Sequence, residues 1–414
     1  MVIAVEGLGT GLVGAYGSST AVTPAIDSLA ANGILLDQCF VDSQQLERQV
    51  ESLWTARHAL QPGEAQWNLW RDVADRETDD WNGRLLTDSV QVAEAADRAG
   101  CPSVTLIEPT QPDRPATETS GCAVMDLFAA AAAELASGPP GLIWIHSRGL
   151  RLPWDAPLEL RGQFADPEDP PPPADTCLPE TDVDRQTDPD WLVGWGQVAA
   201  AQSAVIDEAI SALLHSIAGR SDASAWAWVL ATLGGVPLGV HGRLGWGRPQ
   251  LYGEELHTAT IISPAERLPI GLRRPELFQL PDVAASVAEL LALPLPSELW
   301  GRSVLQYGTA EAPQRWPSVL SIAMIANERQ SWIRSPAWSA LLPVESADHV
   351  GEPLQTAQLF VKPEDRWEVS QIAERRREVV ERHRELAMQF RQACQDNQRS
   401  QLPLLEDELI NLLR

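Results

Sequence analysis

The residues of this chain able to do chemistry are sparse, and they stand at the ends of short apolar runs. Glu6 follows Val2-Ile3-Ala4-Val5, His146 ends Leu142-Ile143-Trp144-Ile145, and the run closing at Thr232 leads into Leu233-Gly234-Gly235, which offers no side-chain ligand. Open α/β sheets gather ligands at the carboxyl ends of their strands, so a site should form at these positions. The triplet Gly9, Gly11 and Gly14 fits the G-x-G-x-x-G spacing of a dinucleotide-binding turn, whose glycines let the backbone approach a pyrophosphate. Such a turn must open into a helix. Gly17, Ser18, Ser19 and Pro24 interrupt that continuation and Asp37 lies too far along to bind a ribose, so nicotinamide or flavin binding is not expected. His241 and His257 lack metal-ligand spacing, and Cys39, inside the run Ile34 to Val41, reads as a small buried hydrophobe. No nucleophile elbow, P-loop or H-E-x-x-H helix is present.

The apolar runs that carry these residues are Val2 to Val5, Ile34 to Val41, Val104 to Ile107, Leu142 to His146 and Trp226 to Thr232. Short, continuous and apolar, they predict strands buried on both faces of a largely parallel sheet. Helices are predicted between them: Pro24 to Asn32, with Thr23 as N-cap and Gly33 as stop, then Val124 to Ala136, Gln197 to Ile217 and Asp282 to Leu291. This alternation defines a layered α/β domain over residues 1–310. Residues 166–190, rich in proline and acid, predict a surface loop without regular structure. A composition change near Gly308 to Pro317 opens a small β subdomain, residues 311–367, with strands expected at Val319 to Ala323, Trp332 to Arg334 and Trp338 to Leu342. Residues 368–414 form a charged tail, helical from Glu368 to Arg399, with Ile372, Val379, Leu386 and Phe390 on one face.

Composition narrows the partners. A length of 414 residues with 44% hydrophobic content supports a large core, and a formal charge of -26 lacks the clustered cations that nucleic acid or an anionic membrane requires. No apolar run approaches the ~20 residues of a membrane span. The start, Met1-Val2-Ile3-Ala4-Val5, has no secretory pattern, and five cysteines without C-x-x-C spacing predict neither a disulfide framework nor a zinc site, so a reducing cytoplasm is expected.

The segment Val5-Glu6-Gly7-Leu8-Gly9, then Gly14-Ala15-Tyr16-Gly17, then Thr23-Pro24-Ala25-Ile26-Asp27-Ser28-Leu29-Ala30-Ala31-Asn32-Gly33 resembles the start of a sulfatase in the alkaline phosphatase superfamily. There it reads D-D-x-G, G-x-Y-G and T-P-N-x-D-x-L-A-x-x-G. Ser52-Leu53-Trp54-Thr55-Ala56-Arg57 resembles the S-L-L-T-G-R that follows the formylglycine signature, and Leu238-Gly239-Val240-His241-Gly242 with Leu251-Tyr252-Gly253-Glu254-Glu255-Leu256 resembles the stretch after the second metal motif. Gly301-Arg302-Ser303-Val304-Leu305 and the stretch from Leu359 to Glu368 extend the likeness nearly to the tail.

The resemblance implies an alkaline phosphatase-like α/β sandwich, with a large mostly parallel sheet between helices, a small C-terminal sheet and a long C-terminal helix. It also implies that the chemistry has gone. The two metal-binding aspartates fall on Glu6 and Gly7 and the other two ligands on Leu233 and Gly234, so the family's calcium is not expected to bind. The convertible nucleophile falls on Leu46 and the signature arginine on Val50. Arg151 stands in place of a substrate-contacting histidine and Arg248 where a Gly-Lys is usual, and with His146 they are the candidates for gripping a sulfated or phosphorylated ligand. The expectation is a catalytically inactive sulfatase homologue with a binding or regulatory role. The alternatives are a sulfuric or phosphoric ester hydrolase with relocated residues, and a docking module made by the helix that carries Arg375-Arg376-Arg377 together with the acidic body.

Overall fold

The computed structural model describes residues 1–78, 81–151, 153–247, 250–263, 271–307, 322–344 and 356–411. Two compact units are assembled from interleaved stretches of chain. Met1–Leu36, Leu69–Arg248 and His257–Arg274 form the first, and Asp37–Asn68, Pro249–Leu256 and Pro275–Arg414 the second.

The strands, in chain order, are β1 (Val2–Glu6), β2 (Ile34–Phe40), β3 (Asn82–Thr87), β4 (Val104–Leu106), β5 (Gly141–Ser147), β6 (Thr181–Asp182), β7 (Trp228–Leu233), β8 (Arg243–Leu244), β9 (His257–Ser263), β10 (Leu272–Gln279), β11 (Ala323–Ala326), β12 (Gln330–Ser335), β13 (Trp338–Pro343) and β14 (Gln358–Val361). An eight-stranded sheet runs β10-β2-β9-β7-β1-β5-β3-β4, and a four-stranded antiparallel sheet runs β11-β12-β13-β14. β1 pairs in parallel with β5 and β7, β3 in parallel with β4 and β5, and β9 antiparallel to β7. The large mostly parallel sheet, the small sheet and the C-terminal helix expected from sequence are all present. Among the described residues no helix is long and apolar enough to cross a membrane.

In the first unit, the helices Ala123–Ser137 and Pro189–Ala218 pack on each other, and the former lies against β3 and β5. Their apolar faces join Ile3, Val5, Ile143, Ile145 and Leu230 in one core. The first helix, Pro24–Ala31, has Thr23 at its N-cap position and Pro24 in its first turn, as expected, but without the expected capping bond. The Thr23 side chain makes no cap bond and instead accepts from Gly14 N at 2.8 Å and donates to Asp27 at 3.1 Å. The cap comes from Asp207 on the 189–218 helix, whose two oxygens accept from Ala25 N (3.0 Å) and Ile26 N (2.9 Å). A side chain far away in sequence thus satisfies first-turn N–H groups that would otherwise be buried without a partner.

The acidic proline-rich segment is not wholly irregular. Asp188 accepts from Asp190 N at 3.0 Å and Pro189 occupies the first turn, so the helix starts eight residues before Gln197, and β6 pairs with β8 inside the predicted loop. β3, β9 and β10 were not foreseen. Arg273, Arg274 and Pro275 interrupt the apolar pattern of β10, and a proline is tolerated there because β10 is an edge strand.

In the second unit the small sheet packs against the C-terminal helix, Arg377–Gln395, which is shorter than predicted. Val379, Leu386 and Phe390 are buried in a core with Trp300, Met324, Ile333 and Trp338, while Ile372 lies before the helix. The predicted strand at Val319 to Ala323 is found at Ala323–Ala326, and residues 319–321 lie outside the described residues.

A filled centre at the carboxyl edge of the sheet

Register brings the site together. Val5 pairs with Ser147, Glu6 with Leu233 and Thr87 with His146, so the carboxyl ends of β1, β5, β7 and β3 lie side by side. Glu6 is 4% exposed, and each of its oxygens faces a basic side chain. Oε1 lies 3.1 Å from His146 Nε2, and Oε2 faces Arg151 Nε at 3.7 Å. Arg151 ends the 3₁₀ turn Gly149–Arg151, and its guanidinium carbon sits 3.9 Å from the centroid of the Trp246 ring.

A second pair stands beside the first. Asp88, just past β3, accepts from Arg148 N at 2.8 Å and faces Arg148 Nε at 3.7 Å. Burial raises its carboxyl above the ordinary range, against the pull of the Arg148 hydrogen bond and charge, and Glu6 adds to the rise. His146 Nδ1, Arg148 Nε, Arg151 Nε and Trp246 Nε1 are buried nitrogens without a hydrogen-bond partner.

Gly7 has φ +76, and a Cβ built there would lie 2.8 Å from Trp246 Cζ2 and 2.9 Å from Cη2. The indole therefore fills the space a side chain at position 7 would need. Leu233 is buried and its carbonyl accepts from Gly7 N at 3.2 Å, while Gly234 has φ +71. Of the four positions assigned to metal ligands, only Glu6 carries an oxygen-bearing side chain, and it is already paired. Among the described residues no group of three or more His, Cys, Asp or Glu gathers in a metal-binding arrangement. Those four positions by themselves do not provide the six to eight oxygens of a calcium site.

The sequence-predicted residues are thus partly united. Glu6, His146 and Arg151 come together, whereas Arg248 lies outside the described residues. His257 Nδ1 instead meets Thr10 Oγ1 at 3.2 Å. The glycine triplet folds into the 3₁₀ turns Thr10–Leu12 and Gly14–Tyr16 and opens no helix. Asp88, Arg148 and Trp246 were missed. The signal for Asp88 would have been recognition of β3; Trp246 carries no local one.

In the second unit, Leu46 opens the helix Leu46–Thr55 half-buried and Val50 is buried on it. Neither has a heteroatom to attack or hold an anion. Asp42, shortly before that helix, is buried, with Oδ2 accepting from Ser52 Oγ (2.7 Å) and Ala59 N (2.8 Å) while Oδ1 has no partner. Burial, opposed by those hydrogen bonds, pushes its carboxyl up to about 7. An unfolded aspartate titrates near ~3.9, so stability from the neutral form is complete below about pH 4 and is lost as pH rises to about 7. Asp42→Asn keeps an acceptor oxygen and cannot ionise. Its denaturation free energy should therefore gain on wild type by about 2–3 kcal/mol between pH 5 and pH 8. Parallel pH profiles would show that Asp42 ionises freely in the fold.

No protein-family model and no curated protein matches the chain. Solved structures do. The phosphonate monoester hydrolase of Agrobacterium radiobacter aligns with TM-score 0.74 at 13% identity, covering 95% of each chain. A protein solved in complex with its substrate D-glucosamine-2-N,6-O-disulfate gives TM-score 0.71 at 14% identity, covering 96% of this chain and 97% of that one. A 2-O GAG sulfatase gives 0.70 at 15% identity, covering 98% and 94%. The chain has the alkaline phosphatase-like fold. Its structural neighbours are sulfatases and phosphonate monoester hydrolases, and at these identities the likeness is one of architecture.

Proposed function

We propose that this chain is a catalytically inactive protein of sulfatase-like fold, with a binding or regulatory role and without the calcium ion that its sequence resemblance implies. The observation that carries the proposal is the occupied centre: Glu6 is paired with both His146 and Arg151, and Trp246 fills the space beside Gly7. Leucine at position 46 supports it, because a side chain with no heteroatom can neither be converted to formylglycine nor form a covalent intermediate. The proposal extends to ligands. Arg151 keeps 37% of its side chain exposed, so a sulfated or phosphorylated group would approach this face, in competition with Glu6 for the guanidinium. The arginines Arg375, Arg376 and Arg377 are exposed, but the apolar face of the C-terminal helix is buried in its own core, which leaves a partner there only the charged face. A cytoplasmic location is part of the same reading, supported by five cysteines that are all free thiols.

The test is hydrolysis of an aryl sulfate and of an aryl phosphonate monoester by the purified chain, with calcium and with chelator. Rates should equal the enzyme-free background in both media. Turnover that chelator abolishes and calcium restores would overturn the proposal.

A further inference from the structure

Glu6 is an ionisable carboxylate placed where an unpaired charge is costly, at the end of a strand buried along its whole length. Of its two partners only Arg151 carries a permanent charge; His146 is charged only if protonated. Three features hold the guanidinium there. The Trp246 ring lies under it, with the guanidinium carbon 3.9 Å from the ring centroid. The turn that presents it needs Gly149, with φ +52, because a Cβ there would strike the Glu6 carbonyl oxygen. Arg148 engages Asp88 with both its backbone N–H and its side chain, which anchors the start of the same turn.

We propose that Arg151 is the resident counter-cation of this sheet edge, compensating Glu6 as a bound divalent cation would and making the first unit stable without one. The inference goes beyond the absence of turnover, since it concerns how the buried carboxylate is stabilised, and it is read from stability and not from activity.

The experiment is thermal unfolding of the full chain as wild type, Glu6→Gln, Arg151→Met and the double variant, each in EDTA and in millimolar calcium chloride. Arg151→Met leaves Glu6 buried and uncompensated, and the midpoint should fall by about 4–8 °C. The double variant should recover at least half of that loss, and the wild-type midpoint should be the same in both media. Additive single effects, or a wild-type midpoint that rises with calcium, would overturn the proposal. If Arg151→Met does not fold, Arg151→Lys keeps the charge and should unfold within about 4 °C of wild type. Failure of the lysine variant to fold would also overturn the proposal, because shape and not charge would then be what position 151 supplies. Hydrolysis found in the assay above would refute the inactive reading and leave this one standing; an additive cycle would do the reverse.

Discussion

Gly7→Asp should cost about 3–5 kcal/mol of unfolding free energy and should not create a metal site, although it restores the second carboxylate of the motif the chain resembles. Three penalties combine. Residue 7 has φ +76, where a side chain other than glycine's costs about 1–3 kcal/mol, aspartate falling toward the low end. The new Cβ would sit 2.8 Å and 2.9 Å from Trp246 carbons and 3.2 Å from Leu150 Cβ, and overpacking of this kind costs about 1–3 kcal/mol. A second carboxylate would then lie next to buried Glu6, whose cationic partner is already engaged. The Arg151 guanidinium lies over the same indole, so displacing the ring would also give up that contact. Chemical denaturation of Gly7→Asp and Gly7→Ala, each alone and with Trp246→Ala, separates the terms. Both should be milder once the indole is gone, while the backbone penalty remains in each. An unfolding free energy for Gly7→Asp within about 1 kcal/mol of wild type would mean that the centre is more open than its geometry shows.

Why part of this was readable in the sequence follows from what each element buries. β1, β5 and β7 lie inside the sheet and are apolar without a break, so their ends, and with them Glu6, His146 and Leu233, could be located from residue type alone. β3 contains Arg84, which is buried yet faces Glu134 at 3.6 Å and donates to the Pro139 carbonyl. A charge satisfied by tertiary contacts erases the local signal, and Asp88 at the end of that strand was lost with it. Trp246 lies in a loop remote from Gly7 in sequence, and no periodicity foretells that its ring closes the space there. The expectation that Leu46 stands at the nucleophile position came from a resemblance, which fixes position. The filled centre was not, because it depends on which side chains the fold brings within reach.

Asp282→Ala should destabilise the second unit by about 3–5 kcal/mol, because it removes one carboxylate from several simultaneous duties. Asp282 is the third residue of the helix Leu280–Leu290 and forms a capping box with Gln279, whose N–H it accepts at 3.0 Å. Its other oxygen accepts from Arg302 N at 3.0 Å, fixing the chain that follows Gly301. Both oxygens also meet the Arg399 guanidinium, through Nη1 and through Nη2 at 3.3 Å, and Nη1 donates in addition to the Trp300 carbonyl at 2.7 Å. Asp282 is 1% exposed and Arg399 6%, so truncation removes a carboxylate from a buried cation, unlike loss of a surface pair, which costs about 1 kcal/mol or less. Asp282→Asn keeps one acceptor oxygen for the Gln279 N–H but not the charge, and should fall about midway. Arg399→Met added to Asp282→Ala should recover part of the loss, since the buried charge that the carboxylate offset is then gone. Denaturation of the three variants decides the matter: if Asp282→Ala costs no more than an exposed pair, Arg399 escapes to water when its partner is removed, and the carboxylate's worth is that of a helix cap alone.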